Sequence, residues 1–535
     1  MTEIDLTCAA EPPCVVTPPS LYGGQPESNF QVSVTPDPAT ASWSASSPVP
    51  WVQFPESTFP MTGTQTLIVR IVLNPESFRE TTITFGTTPV VVKQEGVATV
   101  PPEPEPGPDP NPDSPYAHAC QDREPRAKPA LPQLGPAGFA FHDPAFGTPM
   151  LRVTDETMGG SSFRVPSNAH LAAFNADSTK FIVCGQTGVK AFAYDGTTAR
   201  AIADVQMASA DVKTQGEPCW SRRDPNVLYT LGGQWGRTIQ AVTLLGEGNA
   251  QTTDLLDLDT LGLDLGFDDA TRTYVGGIIT SDDSIVVFFG GTGQDKHHYI
   301  GQMPIGGTTF TTLVDTQTLG PLACLLHSAA VDLSGQYLAL YPTGAQPYQT
   351  IFIDVSTQVA APVTVSPGGH DALGYGWQVN ADSGTAAWDA AQWQLRPLDA
   401  LDNRRDLIDP VLTPKVVYLS EHSTWNNAVI DRSVPVISST FRFNDESAPW
   451  RALDDEVIAI ETEGPSTVYR FCHHRSDSRD EENSASTYFW YQPIANVSPC
   501  GRFALVTSNW EKTLGADPAD PGRSRQDVFL VQLAA

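Results

Sequence analysis

The chain has 535 residues, 40% of them hydrophobic and 17% charged, so it is long enough for two or more globular domains. Its 61 acidic and 31 basic residues give a formal net charge of −30, without the cationic face that nucleic acids or anionic membranes need. No apolar run approaches the length of a membrane span, so we expect neither nucleic-acid binding nor membrane insertion.

The first 17 residues are predicted to form an N-terminal arm. They lack the basic stretch and following apolar stretch of a secretory signal, so no export signal is expected. Cys8 and Cys14 could form a local disulfide, but the sequence does not determine the pairing. None of the eight cysteines forms a Cys-x-x-Cys pair, so we expect no zinc site of that spacing and predict no cofactor.

Residues 18–98 are predicted to form a small β-sandwich. Short alternating runs such as "FQVSV", "TLIVRIVL" and "TTITF" are separated by turn residues. The W-x-A-S-S start at Trp43, the R-x-x-x-I-x-F strand at Arg79 and the closing V-x-Q-x-G resemble the BACON family of Ig-like domains. That resemblance implies an Ig-like fold and, from the family name, carbohydrate binding. A spacer role, with Trp43 and Trp51 packed in the core, is the alternative.

Residues 99–134 are predicted to form a Pro-rich linker. Within it, "VPPEPEPGPDPNPDS" alternates proline with acidic or small residues. This composition favours extended polyproline II, a semi-rigid spacer of roughly 40 Å.

Residues 135–535 carry a repeat in which a polar turn leads into a short apolar strand. The repeat occurs seven times at intervals near 50 residues: "NADSTKFIV" (175–183), "RRDPNVLYT" (222–230), "TSDDSIVVFF" (280–289), "DLSGQYLALY" (332–341), "NADSGTAAW" (380–388), "DRSVPVIS" (431–438) and "SPCGRFALV" (498–506). A small all-β unit cannot bury both of its faces alone, so the repeat predicts a seven-bladed β-propeller in which each phrase is the first turn of a blade. The chain is therefore expected to be all-β, with an N-terminal Ig-like sandwich and a C-terminal propeller.

The D-x-S-G pattern before an apolar strand, together with "FHDPAFGTPMLRVTD", resembles the TolB/YVTN-like propeller superfamily. The last repeat is one strand short, and a strand near residues 149–155 is predicted to close the ring. The resemblance implies the fold and leaves the activity open, because propellers carry many unrelated functions.

Histidines precede several repeats, on the segments predicted to line the central channel. Imidazole is a strong ligand for Mn, Zn or Fe, which makes His170, His327, His370 and His422 candidate metal ligands. Some propeller uronate lyases use such a cluster, but their Gln-x-x-His-x-His arrangement is absent and the spacing to each turn varies. We therefore expect a polar channel lining rather than a metal site.

Aromatic residues lie beside amides and carboxylates in three further segments, "HDALGYGW", "EHSTWNN" and "STYFWYQP". Sugar rings stack on exposed aromatic faces while amides and acids bind their hydroxyls, so these segments predict a glycan platform. The alternative is packing between blades. The candidate glycan-binding residues are His370, Tyr375, Trp377, His422, Trp425 and Trp490.

No nucleophile elbow, H-E-x-x-H motif or phosphate-binding loop is present, so no catalytic residue is assigned and a non-enzymatic role is expected. Domains of these types usually act outside cells, and BACON-like domains occur in phage structural proteins. The favoured hypothesis is a bacteriophage virion protein, a tail fibre, spike or head decoration. Its N-terminal region would bind other virion proteins in an oligomeric assembly, and its propeller would bind host-surface polysaccharide or protein. The alternatives are a secreted carbohydrate-active protein, such as a propeller polysaccharide lyase, and a pure structural scaffold.

Overall fold

The structure is a computed structural model. It describes residues 11–18, 20–23, 27–55, 57–75, 79–94, 114–116, 118–159, 161–166, 169–185, 188–206, 218–232, 238–246, 248–262, 275–281, 284–290, 298–304, 309–315, 326–342, 349–357, 359–364, 370–382, 392–408, 419–429, 432–442, 450, 452–463, 467–482 and 488–534. The chain forms two compact units, Met1–Gly107 and Pro108–Ala535. Among the described residues, no helix is long and apolar enough to cross a membrane.

The first unit contains two four-stranded sheets, with strand orders β1-β3-β8-β6 and β2-β10-β9-β5, and a short β4-β7 pair. Its strands are β1 (Cys14–Thr17), β2 (Ser20–Gly23), β3 (Ser28–Pro36), β4 (Ser42–Trp43), β5 (Ala45–Ser46), β6 (Val52–Gln53), β7 (Met61–Thr62), β8 (Gln65–Ile71), β9 (Arg79–Phe85) and β10 (Thr88–Gln94). Alternate residues of β8, β9 and β10 are buried in one hydrophobic core, as expected for strands with one face toward a core.

Two features of this unit bear on the sequence analysis. β1 lies inside the segment predicted as an arm and pairs with β3, because its alternating residues Cys14 and Val16 are buried in the core. Trp43 is fully buried and its indole donates to the Gly63 carbonyl at 2.9 Å. Trp51 is half-buried beneath the Arg79 guanidinium, which lies 4.4 Å from the ring centroid.

The second unit contains, in its described part, seven antiparallel sheets of four or five strands. Sheets 1 to 3 are β13 (Phe163–Arg164), β14 (Lys180–Gly185), β15 (Gly188–Tyr194) and β16 (Ala199–Gln206); β17 (Cys219–Trp220), β18 (Val227–Gly232), β19 (Thr238–Gly246) and β20 (Asn249–Asp257); and β21 (Val275–Ser281), β22 (Ser284–Gly290), β23 (His298–Met303) and β24 (Thr311–Asp315). Sheets 4 to 6 are β25 (Leu326–Val331), β26 (Tyr337–Pro342), β27 (Gln349–Asp354) and β28 (Ala360–Thr364); β29 (Ala372–Leu373), β30 (Trp377–Asp382), β31 (Gln392–Pro397) and β32 (Arg405–Asp406); and β33 (Leu419–Thr424), β34 (Val436–Arg442), β35 (Glu456–Ile460) and β36 (Val468–His473).

Sheet 7 joins the two ends of the unit. Its order is β11-β12-β41-β38-β37, formed by β11 (Ala140–His142), β12 (Pro149–Arg152), β37 (Ala495–Val497), β38 (Phe503–Ser508) and β41 (Asp527–Gln532), so β12 pairs with the last strand of the chain. A separate hairpin joins β39 (Ala516–Asp517) to β40 (Asp520–Ser524), and short 3-10 helices span Glu156–Met158, Leu258–Leu261 and Phe489–Tyr491. All residues of β36 and β38 are buried, which indicates that both faces of these sheets are covered.

The two nearly identical phrases of the repeat occupy different turns. "NADSTKFIV" forms the turn between β13 and β14 of sheet 1 and leads into β14, as predicted. In sheet 5 the first turn instead lies at Gly374–Gly376, between β29 and β30, and residues 380–382 of "NADSGTAAW" end β30. Residues 383–388 of that phrase lie outside the described residues. The prediction of a first turn at 380–388 is wrong because Gly374 and Gly376 already make the chain reverse there.

Part of the predicted linker belongs to the second unit. We call residues 114–116 and 118–134 the strap. The Tyr116 hydroxyl donates to the Gly501 carbonyl at 2.6 Å, Cys120 forms a backbone bridge with Arg470, and the Trp510 indole donates to the Pro132 carbonyl at 3.1 Å. These contacts bind the strap to sheets 6 and 7, so composition alone places the end of the spacer too late in the chain.

Candidate functional site

Four polar side chains from three sheets of the second unit meet at one buried position. His170 lies between β13 and β14 of sheet 1, Tyr341 lies in β26, and Asp371 and Gln378 lie at the start of sheet 5. One carboxylate oxygen of Asp371, Oδ2, accepts from the Tyr341 hydroxyl at 2.9 Å and from Gln378 Nε2 at 2.6 Å. The other, Oδ1, lies 3.5 Å from His170 Nε2. We call these four residues the Asp371 cluster.

The cluster holds Asp371 as a carboxylate. Burial would raise the pKa of this carboxyl, but the nearby His170 and the hydrogen bonds from Gln378 and Tyr341 keep it below its usual value. Burial and the neighbouring carboxylate raise the pKa of Tyr341 well above its usual value, so its hydroxyl stays protonated and donates. The cluster is thus an anion held by hydrogen-bond donors in a region of low solvent access.

Two stacked imidazoles lie next to the cluster. The rings of His370 and His422 are 4.1 Å apart between centroids and inclined by 25°. His370 Nδ1 donates to the Glu421 carbonyl at 2.8 Å, and His422 Nε2 donates to Gln492 Oε1 at 2.9 Å. His370 directly precedes Asp371, and its carbonyl accepts from Ser423 N at 2.8 Å, which ties sheet 5 to sheet 6.

The environment keeps His422 neutral. Burial, followed by the charge of His370, lowers the pKa of His422 well below its usual value. Because Nε2 donates to Gln492, the lone pair of His422 lies on Nδ1. His370 is only half-buried and forms the more exposed side of the pair. The arrangement therefore places a neutral, buried imidazole beside a partly exposed one.

The aromatic candidates are less exposed than a glycan platform requires. Trp425 is buried, its indole donates to the Val434 carbonyl at 2.9 Å, and its ring packs on Gly374. Trp377 is buried with the Arg432 guanidinium 4.4 Å from its ring centroid. Trp490 is half-buried and similarly contacts Arg164, at 4.3 Å.

Tyr375 is half-buried in the turn between β29 and β30. A ring that stacks on a sugar must leave one face exposed. The buried Trp377 and Trp425 therefore fit packing between sheets better than stacking on a glycan. Of the six glycan candidates, the structure brings together His370 and His422.

The metal candidates are partly brought together. His170 contacts Asp371, whose chain neighbour His370 stacks on His422. His327 lies in β25, and its side chain falls outside the described residues. Within the described ranges, no group of three or more His, Cys, Asp or Glu side chains is placed to hold a metal ion.

Sequence reasoning did not single out Asp371, Tyr341, Gln378 or Gln492. Asp371 and Gln492 lie within the aromatic segments that it noted, and an acid directly after His370 was the available signal. Tyr341 ends an apolar strand like many core tyrosines. Its role follows only from its contact with a residue of the next sheet.

Comparison with known proteins supports the fold. No family model and no curated protein matches this chain. Oligogalacturonate lyase in complex with manganese matches it with a TM-score of 0.50 at 10% identity, over 74% of this chain and 95% of that chain. Oligogalacturonate lyase from Vibrio parahaemolyticus matches 74% of this chain and 96% of that chain at 9% identity, with a TM-score of 0.49. TolB from Acinetobacter baumannii matches 49% of this chain and 58% of that chain at 12% identity, with a TM-score of 0.30. The chain is all-β, and the solved structures that it resembles are β-propellers.

Proposed function

We propose that the second unit is a carbohydrate-active β-propeller that binds an oligosaccharide beside the Asp371 cluster and the His370–His422 pair. The convergence of His170, Tyr341 and Asp371 from three separate sheets carries this proposal. Buried ionisable groups far apart in sequence are costly to bring together for stability alone, and they concentrate at functional sites.

Two structural proposals accompany it. The seven sheets are proposed to be the seven blades of one propeller, closed by the pairing of β12 with β41. The first unit is proposed to be the Ig-like, BACON-type sandwich, acting as a spacer or an additional sugar-binding module. Fully buried Trp43 supports core packing for that residue.

Binding is proposed in preference to cleavage. Eliminative cleavage of a uronate requires a base and a positive group that neutralises the substrate carboxylate. His422 is neutral, but its lowered pKa makes it a weak proton acceptor for such a step. The likeness to oligogalacturonate lyase supports the carbohydrate-active alternative over a phage adhesin. The virion location, the secreted location and the virion partners stay predictions.

The test is calorimetric titration of the full chain with neutral, amino and uronic-acid oligosaccharides. We expect binding by at least one class, and at least tenfold weaker binding by His370→Ala, because this substitution removes the half-buried ring of the pair. His142→Ala, at an exposed histidine of β11, is the matched control and should bind like the unmodified chain. If no class binds, the proposal is wrong. Formation of an unsaturated uronate, followed by its ultraviolet absorbance, would establish a lyase.

A further inference from the structure

Buried acceptor atoms around Asp371 lack hydrogen-bond donors. In the part of the chain that the structure describes, no donor reaches Asp371 Oδ1, Gln378 Oε1, Asn380 Oδ1 or His422 Nδ1. Each of these side chains is more than nine-tenths buried. His170 Nε2, at 3.5 Å from Asp371 Oδ1, is too distant for a good hydrogen bond. These four unpaired atoms are all acceptors.

Three of these acceptors share one face of sheet 5. Leu373 pairs with Gln378 and Ala372 with Val379, and continuing this antiparallel register sets Asp371 opposite Asn380. Alternate residues of a strand point to the same face, so Gln378 and Asn380 flank the Asp371 carboxylate. The fourth acceptor, His422 Nδ1, lies on the ring that stacks against His370.

The chemistry of these atoms restricts the ligand. A buried acceptor without a donor destabilises the folded state, and native proteins leave few such atoms unless a ligand or water pairs with them. Hydroxyl and ammonium groups are donors and would pair with them. A carboxylate would add further acceptors and place a second negative charge beside Asp371, which is already ionised.

We propose that the sugar recognised at this site is a donor-rich one, neutral or amino-bearing, and that oligosaccharides with free amino groups bind most tightly. This inference rests on the proposed function and narrows its substrate class. It departs from the acidic sugar of the structural neighbour, oligogalacturonate lyase. The chain also contains a cation that would favour an acid: Arg396, buried on β31, pairs in register with Gln378. The relative affinities for amino, neutral and acidic oligosaccharides therefore show whether Asp371 or Arg396 determines which sugar binds.

The experiment compares chitosan, cello- and galacturonate oligomers of equal length in calorimetric titration of the full chain. We expect chitosan oligomers to bind most tightly and galacturonate oligomers at least tenfold more weakly than cello-oligomers. Asp371→Asn replaces an acceptor with a donor and removes the charge, so it should weaken chitosan binding at least tenfold and cello-oligomer binding less. Asn380→Leu leaves the charge of Asp371 in place and should weaken the binding of chitosan and cello-oligomers about equally. It provides the test if Asp371→Asn does not fold.

Asp332→Asn is the matched control. Asp332 is as buried as Asp371, but its oxygens accept from the amides of Ser334, Tyr337 and Gly376 in the turns of sheets 4 and 5. Its substitution should leave the order of the three affinities unchanged. Tightest binding of galacturonate, with loss of that binding in Arg396→Met, would overturn the substrate class and leave the proposed function intact. Failure of all three sugars to bind would overturn both.

Discussion

Two buried polar regions of the second unit differ in how their charges are compensated. Beneath the strap, Arg470 donates to both carboxylate oxygens of Glu456, at 2.8 and 2.7 Å, and to Asp122 Oδ1 at 3.0 Å. Lys128 pairs with Asp455 at 2.9 Å. In the Asp371 cluster, the carboxylate accepts from a hydroxyl and an amide and lies 3.5 Å from His170 Nε2, and the atoms left without partners are acceptors.

This difference separates a structural network from a binding site. Oppositely charged groups under the strap pair with each other. The atoms left over there are mainly guanidinium N–H groups, common where a guanidinium has five donors, together with one imidazole nitrogen: they belong to Arg123, Arg126, Arg475 and His473. The Asp371 cluster contains an anion with unused acceptors, and among the described residues no guanidinium is bonded to its carboxylate. Loss of a partner should therefore lower stability most under the strap, and affect ligand binding most at Asp371.

The largest expected effect is that of Arg470→Met. It leaves Glu456, which is fully buried, without its cation, and breaking a buried ion pair in this way costs about 3–5 kcal/mol. The free energy of unfolding, from urea denaturation of the full chain, measures the loss. Lys190→Met removes the solvent-accessible pair with Asp204 and should cost less than about 1 kcal/mol. Equal losses in the two variants would show that the strap pair has no special structural role.

Acid should destabilise the protein through its buried histidines. Burial lowers the pKa of His473 to about 3 and of His474 to about 4, and lowers that of His422 well below its usual value. The folded state therefore binds fewer protons than the unfolded state, in which histidine has a pKa near 6.5. Stability is fully present above pH 6.5 and falls as the pH decreases, by about 2 kcal/mol per histidine at pH 5.

The thermal midpoint between pH 7 and pH 5 checks this prediction. Burial raises the pKa of Glu456 to about 7, despite its hydrogen bonds from Arg470. Protonation of this carboxyl therefore stabilises the folded state as the pH falls from 7 to 5, opposite to the histidines. Comparing how far the thermal midpoint falls between pH 7 and pH 5 in the unmodified chain and in His473→Gln isolates the effect of one histidine, because both proteins contain Glu456. The variant should lose less stability on acidification. Parallel pH profiles would contradict the assignment of a neutral, buried His473.

The sequence predicts the sheets better than the site. A polar turn before an apolar strand marks β14, β26 and β38 because turn residues and buried strands each have a local chemical signature. It fails at residues 380–388 because "NADSG" also suits a turn after β30. The all-β, propeller-like class is predicted because it requires only the period of the repeat.

The site could be predicted only in part because it depends on contacts between distant strands. His370 and His422 are 52 residues apart, and their stacking follows from the adjacency of sheets 5 and 6. The strap was missed for a related reason. Proline content reports local stiffness, whereas the burial of Tyr116 depends on Gly501, 385 residues away.

The smallest predicted effects come from removing one hydroxyl in each region. Tyr116→Phe removes the bond to the neutral Gly501 carbonyl and should cost about 1 kcal/mol of stability. Tyr341→Phe removes a bond to the ionised Asp371 and should cost about 2 kcal/mol, because hydrogen bonds to charged groups are stronger. Urea denaturation of the two variants measures both losses.

Ligand affinity distinguishes the two tyrosines further. Tyr341→Phe leaves Asp371 Oδ2 with Gln378 as its remaining donor, so the carboxylate has more capacity to accept from a ligand hydroxyl while its positioning is weakened. The affinity for the best oligosaccharide should therefore change in Tyr341→Phe and stay constant in Tyr116→Phe. An equal change in both variants would mean that affinity follows global stability, and the contrast between a structural and a binding region would not hold.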